Sequence, residues 1–322
     1  MDCIAIINQK GGVGKTSTAV NLGAGLAQRG KRVLLIDMDP QGHLTVHFGV
    51  DGDARGSGIY EVLTRSLPLD SAIHTRSSNI AVVPAQIDLA AAEVELVSVV
   101  GREVILRDVL AGHPCPYDFV LLDCPPSLGV LTLNALSAAK HVLIPMQPHF
   151  LALQGVGKLL ETVALVSQRL NPQLRVLGII MCMYESATRL SGEVAADLSA
   201  FLDGSRDKAV PWSEARILET RIRRNIKLAE CPSYGQSILE YAPRSRGAAD
   251  YLALADELIA MLRTDPVETP PEVASAAIMP TQTPPATTPQ APTNTADVAV
   301  NTTVPLRKAP VAPAETEKGF SV

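Results

Sequence analysis

The sequence predicts an α/β fold: a doubly wound, mostly parallel sheet with helices on both faces. Three observations predict it. Short aliphatic runs recur without polar alternation, as at Cys3 to Ile7, Lys31 to Asp37 and Tyr117 to Asp123. Strands covered on both faces read this way. Segments of helical periodicity separate the runs, the pitch of right-handed crossovers in a parallel sheet. The first run passes through a Gly-rich turn straight into a helix, an arrangement that surrounds a phosphate with backbone N–H groups.

Composition sets limits. Of 322 residues 47% are hydrophobic and 4% aromatic, so the core is sizeable and aliphatic. A net charge of −5 excludes nucleic-acid binding by bulk charge; any such site is a local patch. Five cysteines are scattered with no C-x-x-C, which suits reduced thiols in a cytoplasmic protein rather than disulfides, zinc or an iron–sulfur cluster. No apolar run approaches the roughly 20 residues of a membrane span. The first strand starts beside Met1, so no signal peptide is expected.

The turn after the first strand is Gln9-Lys10-Gly11-Gly12-Val13-Gly14-Lys15-Thr16-Ser17. The P-loop pattern G-x-x-x-x-G-K-[ST] is met except that Gln9 stands where the first Gly belongs. Lys15 is expected to reach the β- and γ-phosphates of a nucleotide, and the Thr16 hydroxyl to hold Mg²⁺. Lys10 is an extra cation at the mouth of the loop. From spacing alone it is either a solvated charge or a contact to a nucleotide held by another subunit.

A helix is expected over Thr18 to Ala27, then a strand over Lys31 to Asp37. That strand ends in Asp37-Met38-Asp39-Pro40, at the sheet edge where α/β folds bind ligands. Asp39 suits orientation of an attacking water, and Asp37 suits support of that water or of the metal; the alternative is a cap on the turn at Pro40. Residues 43–78 give weaker signals: a short helix at Gly58 to Leu63, another turn at Leu69 to Ile73, and surface histidines at His43, His47 and His74. A strand at Ile80 to Pro84 and helices at Ile87 to Val100 and Glu103 to Leu110 follow. Tyr117 to Asp123 is an apolar strand ending in an acid, the Walker-B arrangement in which Asp123 holds Mg²⁺ through water. Cys124 reads as a small buried filler. Helices at Leu128 to Ala138, Ala152 to Leu170 and Ser191 to Leu202 alternate with strands at His141 to Met146 and Leu174 to Met183. The last helix is Arg246 to Arg263, with Leu252, Ala255, Leu258, Ile259 and Leu262 on its buried side.

Charge changes between Arg206 and Arg246, where nine Lys/Arg face five acids. Arg221-Ile222-Arg223-Arg224-Asn225-Ile226-Lys227 is the densest part. Flexible cations on one face suit phosphate contacts, and a solvated face is the other reading. Eleven of the 24 prolines lie beyond Asp265, with many Thr and Ala. That composition predicts a single P-loop domain over residues 1–264 and a disordered tail over 265–322, with no amphipathic stretch suited to a membrane surface.

Four stretches in order, Gln9 to Ser17, Asp37 to Gly42, Asp123 to Ser127 and Arg224 to Gly235, resemble the ParA/Soj family of partition ATPases. The resemblance runs from about residue 2 to 263. It implies an ATP hydrolase using ATP and Mg²⁺, with weak intrinsic activity stimulated by a ParB-like partner. Lys10 becomes the signature lysine of a deviant Walker A motif, contacting ATP across a homodimer. Lys10, Lys15 and Asp39 would be catalytic. Lys10, Gly11, Gly12, Val13, Gly14, Lys15, Thr16, Ser17 and Asn225 would bind ATP, with Asn225 near the adenine. Thr16, Asp123 and Asp37 would serve the metal. Arg221, Arg223, Arg224, Lys227, Arg244 and Arg246 would face non-specific DNA in the ATP dimer. Segregation of a chromosome or plasmid on the nucleoid is implied; alternatives are the same cycle positioning a protein complex or organelle, or a MinD-like membrane-cycling ATPase. A relation to the nitrogenase iron protein is opposed by the absence of matching cysteines. Many members read Ile-Pro-Arg-Asn where this chain has Ile222-Arg223-Arg224-Asn225, which removes a rigid turn residue and adds charge.

Overall fold

The computed structural model describes residues 1–50, 57–114, 116–149, 152–185 and 189–264. The tail over 265–322 lies outside the described residues. β1 (Asp2–Ile6) leads through the Gly-rich turn into α1 (Lys15–Gln28), and β2 (Val33–Asp37) follows. Short helices α2 (His43–His47), α3 (Ile59–Thr64) and α4 (Leu69–Ala72) precede a hairpin of β3 (His74–Ser77) and β4 (Ile80–Val83). Next come α5 (Leu89–Glu95), a 3-10 turn (Leu96–Ser98), α6 (Ile105–Gly112) and β5 (Phe119–Asp123). α7 (Val130–Ala138), β6 (His141–Met146), α8 (Ala152–Arg169), β7 (Arg175–Tyr184) and α9 (Arg189–Asp203) continue the alternation. The basic segment contributes β8 (Arg216–Ile217), β9 (Ile222–Arg223), α10 (Ile226–Glu230), a 3-10 turn (Cys231–Tyr234) and α11 (Ile238–Tyr241) before α12 (Arg246–Thr264).

The sheet order is β3-β4-β2-β5-β1-β6-β7-β8, with β9 paired to β7. Every pairing is parallel except the β3–β4 hairpin. The mostly parallel, doubly wound sheet is therefore as the sequence predicts. β3, β8 and β9 are the additions. The β3 residues His-Thr-Arg-Ser are mainly exposed at the sheet edge, and β8 and β9 are two residues each, so no apolar run announced them.

Continuous apolar strands serve two cores at once. Cys3, Ala5, Leu34, Ile36, Val120 and Leu122 pack in one layer. Their alternates Ile4, Ile6, Val33, Leu35, Phe119 and Leu121 pack in the other. Each strand residue points into one helix layer or its opposite, which is why no polar alternation exists to read.

Three expectations shift. The helix expected over 87–100 ends at Glu95 and tightens into the 3-10 turn; Val94, Val97 and Val100 are exposed there, so little packing offsets the poor helix propensity of β-branched residues. The buried face of α12 is centred on Tyr251, Leu254, Ala255, Leu258 and Met261, with Leu252, Ile259 and Leu262 half-buried on its flank. His47 is not a surface residue: it is 2% exposed inside α2, a helix the sequence did not signal. Among the described residues no helix is long and apolar enough to cross a membrane.

Candidate nucleotide site and basic segment

The Gly-rich turn adopts the backbone its glycines permit. Gly12 has φ 72 and Gly14 φ 97, both left-handed, and nothing stands within 4 Å of where a Cβ on Gly11 or Gly12 would be. Side chains there would be strained in one case and would fill the cradle in the other. α1 starts at Lys15 with no acidic residue in its first turn. Its N-terminal donors and positive dipole end are left for an anion. Asn8 fixes the turn from below: its Nδ2 donates to Pro145 O at 2.8 Å, and its Oδ1 accepts from Lys10 N at 2.9 Å.

Lys15 is 7% exposed, and its Nζ donates to Lys10 O at 3.4 Å. Burial lowers its pKa, while Asp123 and Asp39 pull it back up. Lys10 is exposed, and its ammonium donates to Nε2 of His149, 139 positions away in the β6–α8 connection. Burial and then Lys10 hold the His149 imidazole below its usual pKa. Sequence reading missed this partner, for which no local pattern exists.

The β2–β5 register places Asp37 opposite Asp123. Both are fully buried, and Asp39 is 8% exposed. Two buried carboxylates side by side resist ionisation. Burial pushes Asp37 up to about 6, opposed by bonds from Thr45 and Asp39. Burial and then Asp37 push Asp123 well above the usual carboxylate range, with Thr16 and Lys15 acting the other way.

The two acids differ in their partners. Asp37 accepts from Asp39 N at 3.2 Å, Thr45 N at 2.9 Å and Thr45 Oγ1 at 2.8 Å, so it caps α2 and the Asp39 turn. Both oxygens of Asp123 lack a hydrogen-bond partner among the described residues; Thr16 is near enough to lower its pKa but outside normal bonding geometry. An orphaned buried carboxylate beside a hydroxyl and a phosphate cradle fits a hydrated Mg²⁺, which keeps waters and takes few protein ligands. No cluster of three or more His, Cys, Asp or Glu suited to a metal occurs among the described residues. Cys124 is fully buried, and burial followed by Asp123 raises its thiol pKa well above normal, as suits a filler.

A cavity of about 520 Å³ continues from the turn, lined by Gly14, Ser17, Cys182, Met183, Tyr251 and Asn225 among others. Asn225 sits on its wall as the N-cap of α10, its Oδ1 accepting from Lys227 N at 3.0 Å. Cys182 and Met183 were not anticipated. Their signal is position: they lie at the C-terminal end of a parallel strand, on the ligand edge.

The basic run is less free than its composition suggests. Arg223 clamps Asp250, which is 6% exposed: the guanidinium donates to both oxygens, and Arg223 N donates to Oδ2 at 3.0 Å. A proline at this position could not make that backbone bond. Arg224 pairs with Glu185 at 3.4 Å, and Lys227 with Glu230 at 2.7 Å. Arg221 lies over the Tyr184 ring, 4.4 Å from its centroid, and bonds its hydroxyl. Arg244 and Arg246 are exposed and enter none of the ion pairs found among the described residues.

The fold and this edge define a P-loop ATPase architecture. Residues 1–176 match the family described as AAA domain. The chain is 44% identical over 257 residues to the chromosome partitioning protein ParA of Myxococcus xanthus, covering 80% of this chain and 87% of the relative. It is 45% identical over 258 residues to the sporulation initiation inhibitor protein Soj of Bacillus subtilis, covering 80% and 98%. A structure of cobyrinic acid a,c-diamide synthase from Mycobacterium smegmatis with bound ATP analogue and magnesium superposes with a TM-score of 0.69 at 37% identity, covering 82% and 96%. This chain belongs to the ParA/Soj family.

Proposed function

We propose that this chain is a DNA-partition ATPase. It dimerises on ATP, binds non-specific nucleoid DNA in that state, and releases it when a ParB-like partner stimulates its weak hydrolysis. Residues 1–264 are the ATPase domain; the protein works in the cytoplasm on a chromosome or plasmid. The observation that carries the reading is the open, buried carboxylate of Asp123 at the same edge as Lys15 and Asp39. The chromosome-partitioning names of relatives above 40% identity support the role.

Each residue has a task. The loop N–H groups and Lys15 hold the phosphates. Thr16 and Asp123 would hold Mg²⁺, which would supply charge neutralisation for the phosphates. Asp39 orients the attacking water, its carboxylate steadied by a 3.0 Å bond from Gln41 N to Oδ1. Lys10 leaves His149 to reach the nucleotide of the second subunit. Catalysis is positioning and charge stabilisation. For DNA, Arg244 and Arg246 act without a competing acid, Arg221, Arg224 and Lys227 exchange their present partners for phosphate, and Arg223 anchors the segment through Asp250.

DNA binding measured with ATP and with ADP tests this. Binding is expected only with ATP, independent of sequence and sensitive to salt. Lys10→Ala should lose the dimer, and Asp39→Ala should keep it but stop turnover. Equal DNA binding in ATP and ADP would overturn the switch.

A further inference from the structure

α2 joins two regions that the sequence keeps far apart. At its near end, Thr45 N and Oγ1 donate to Asp37 Oδ2, while Asp39 N donates to Asp37 Oδ1. One buried carboxylate thus fixes both the backbone of Asp39 and the start of α2. Thr45 Oγ1 also accepts from Ala85 N at 2.9 Å, which ties this end to the sheet.

At its far end, the buried His47 ring reaches the segment after α10. A carbonyl can only accept, so His47 Nε2 carries a proton and donates to Gln236 O at 2.9 Å. Cys231 Sγ lies 3.6 Å from the same nitrogen. Arg76 clamps the junction, donating from Nε to Phe48 O at 3.2 Å and from Nη2 to Gly235 O at 3.3 Å. Gly49 and Gly235, with φ 60 and 62, let the two chains meet: a Cβ on Gly235 would stand 3.6 Å from Gly49 Cα. Residues 231–236 continue directly from α10, which carries Lys227 and part of the cavity wall.

We propose that α2 is a strut carrying the state of the Asp39 loop to the basic segment, with His47 as the positioning residue at its far joint. The inference rests on the reading of that loop as the γ-phosphate side. A γ-phosphate that moves Asp39 moves Asp37 and Thr45 with it. His47 follows half a turn later in the same short helix and draws residues 231–236, and α10 with them. Spatial connection alone does not establish coupling, so the test must read both ends.

The measurement is amide hydrogen exchange on the full chain with Mg²⁺ and either ADP or a slowly hydrolysed ATP analogue. The two nucleotides share base and ribose, so a difference over residues 226–241 reports the γ-phosphate. Dimer content is scored on the same samples by sedimentation. Wild type should differ between nucleotides over both 39–48 and 226–241. His47→Leu keeps a buried apolar side chain and removes the donor. It should keep the dimer and the difference over 39–48, while the difference over 226–241 shrinks about fivefold or more. His47→Gln, whose amide can donate to Gln236 O, should restore it. An unchanged difference in His47→Leu, no difference over 226–241 in wild type, loss of the dimer together with the difference, or no restoration by Gln overturns the strut. DNA binding that ignores nucleotide in the wild type would instead overturn the partition reading, and the exchange data would still judge the strut.

Discussion

The nucleotide edge and the basic segment both concentrate charge, but they leave it in opposite states. At the edge, Lys15, Asp37, Asp39 and Asp123 are each under a tenth exposed, and Asp123 has no hydrogen-bond partner among the described residues. Charge there is short of partners and calls for a phosphate and a cation. In the segment, Arg223, Arg224 and Lys227 each have an acid, and Arg221 has an aromatic ring. Charge at those four residues is already answered, so an external phosphate must compete; the exposed Arg244 and Arg246 enter none of the ion pairs among the described residues. A buried group that the fold leaves incomplete marks a ligand site more sharply than a surplus of surface charge does.

The largest expected effect tests the edge. Lys15→Ala should lower ATP turnover by about 100-fold or more, because the proposed phosphate contact of this buried cation has no substitute; single-turnover kinetics checks it. A smaller loss would mean that the edge does not depend on that charge.

The next prediction concerns acid. Burial holds the His47 imidazole down at about 4 against an ordinary 6.5, with Gln236 O and Glu240 acting the other way. The unfolded chain therefore binds more protons between those values, and stability falls as pH drops from 6.5 towards 4. The limit is about 3–4 kcal/mol. The unfolding free energy of wild type, from urea titrations, should fall by that order relative to His47→Leu across the window. Parallel curves would show that His47 is not held neutral.

Within the segment, Arg223→Ala should destabilise by about 1–2 kcal/mol, since it strands the buried Asp250, with half the arginine's exposure discounting the loss. Arg246→Glu should leave the urea midpoint unchanged. If both behave alike in denaturation, the distinction between anchor and free cation fails. The smallest effect is on salt dependence. Removing Arg244 or Arg246 should reduce the slope of log affinity against log salt by about 0.9 for each phosphate that the variant no longer neutralises. A slope unchanged by either substitution removes that residue from the DNA surface.

Much of the edge was legible because its signals are local. Glycines at Gly12 and Gly14, Lys15 after them, and acids closing the strands at Asp37 and Asp123 stand next to the elements that place them. The distinct tasks of Asp37 and Asp123 were not legible. Both close an apolar strand; only the arrival of Thr45 satisfies one and leaves the other open. The α2 helix escaped notice because five residues carry too little periodicity, and His47 looked like any surface histidine.

The sequence by itself determined the two-faced parallel sheet, the Gly-rich turn and the acids on its edge, because hydrophobic runs, glycine backbone freedom and strand-end positions act over a few residues. The tertiary structure alone decided which cations are spoken for. Asp250 lies 27 positions from Arg223, and His149 lies 139 from Lys10. It also decided that α2 links Asp37 to residues 231–236. A hydrogen bond depends on distances that the folded chain sets, and composition over a short stretch carries no record of them.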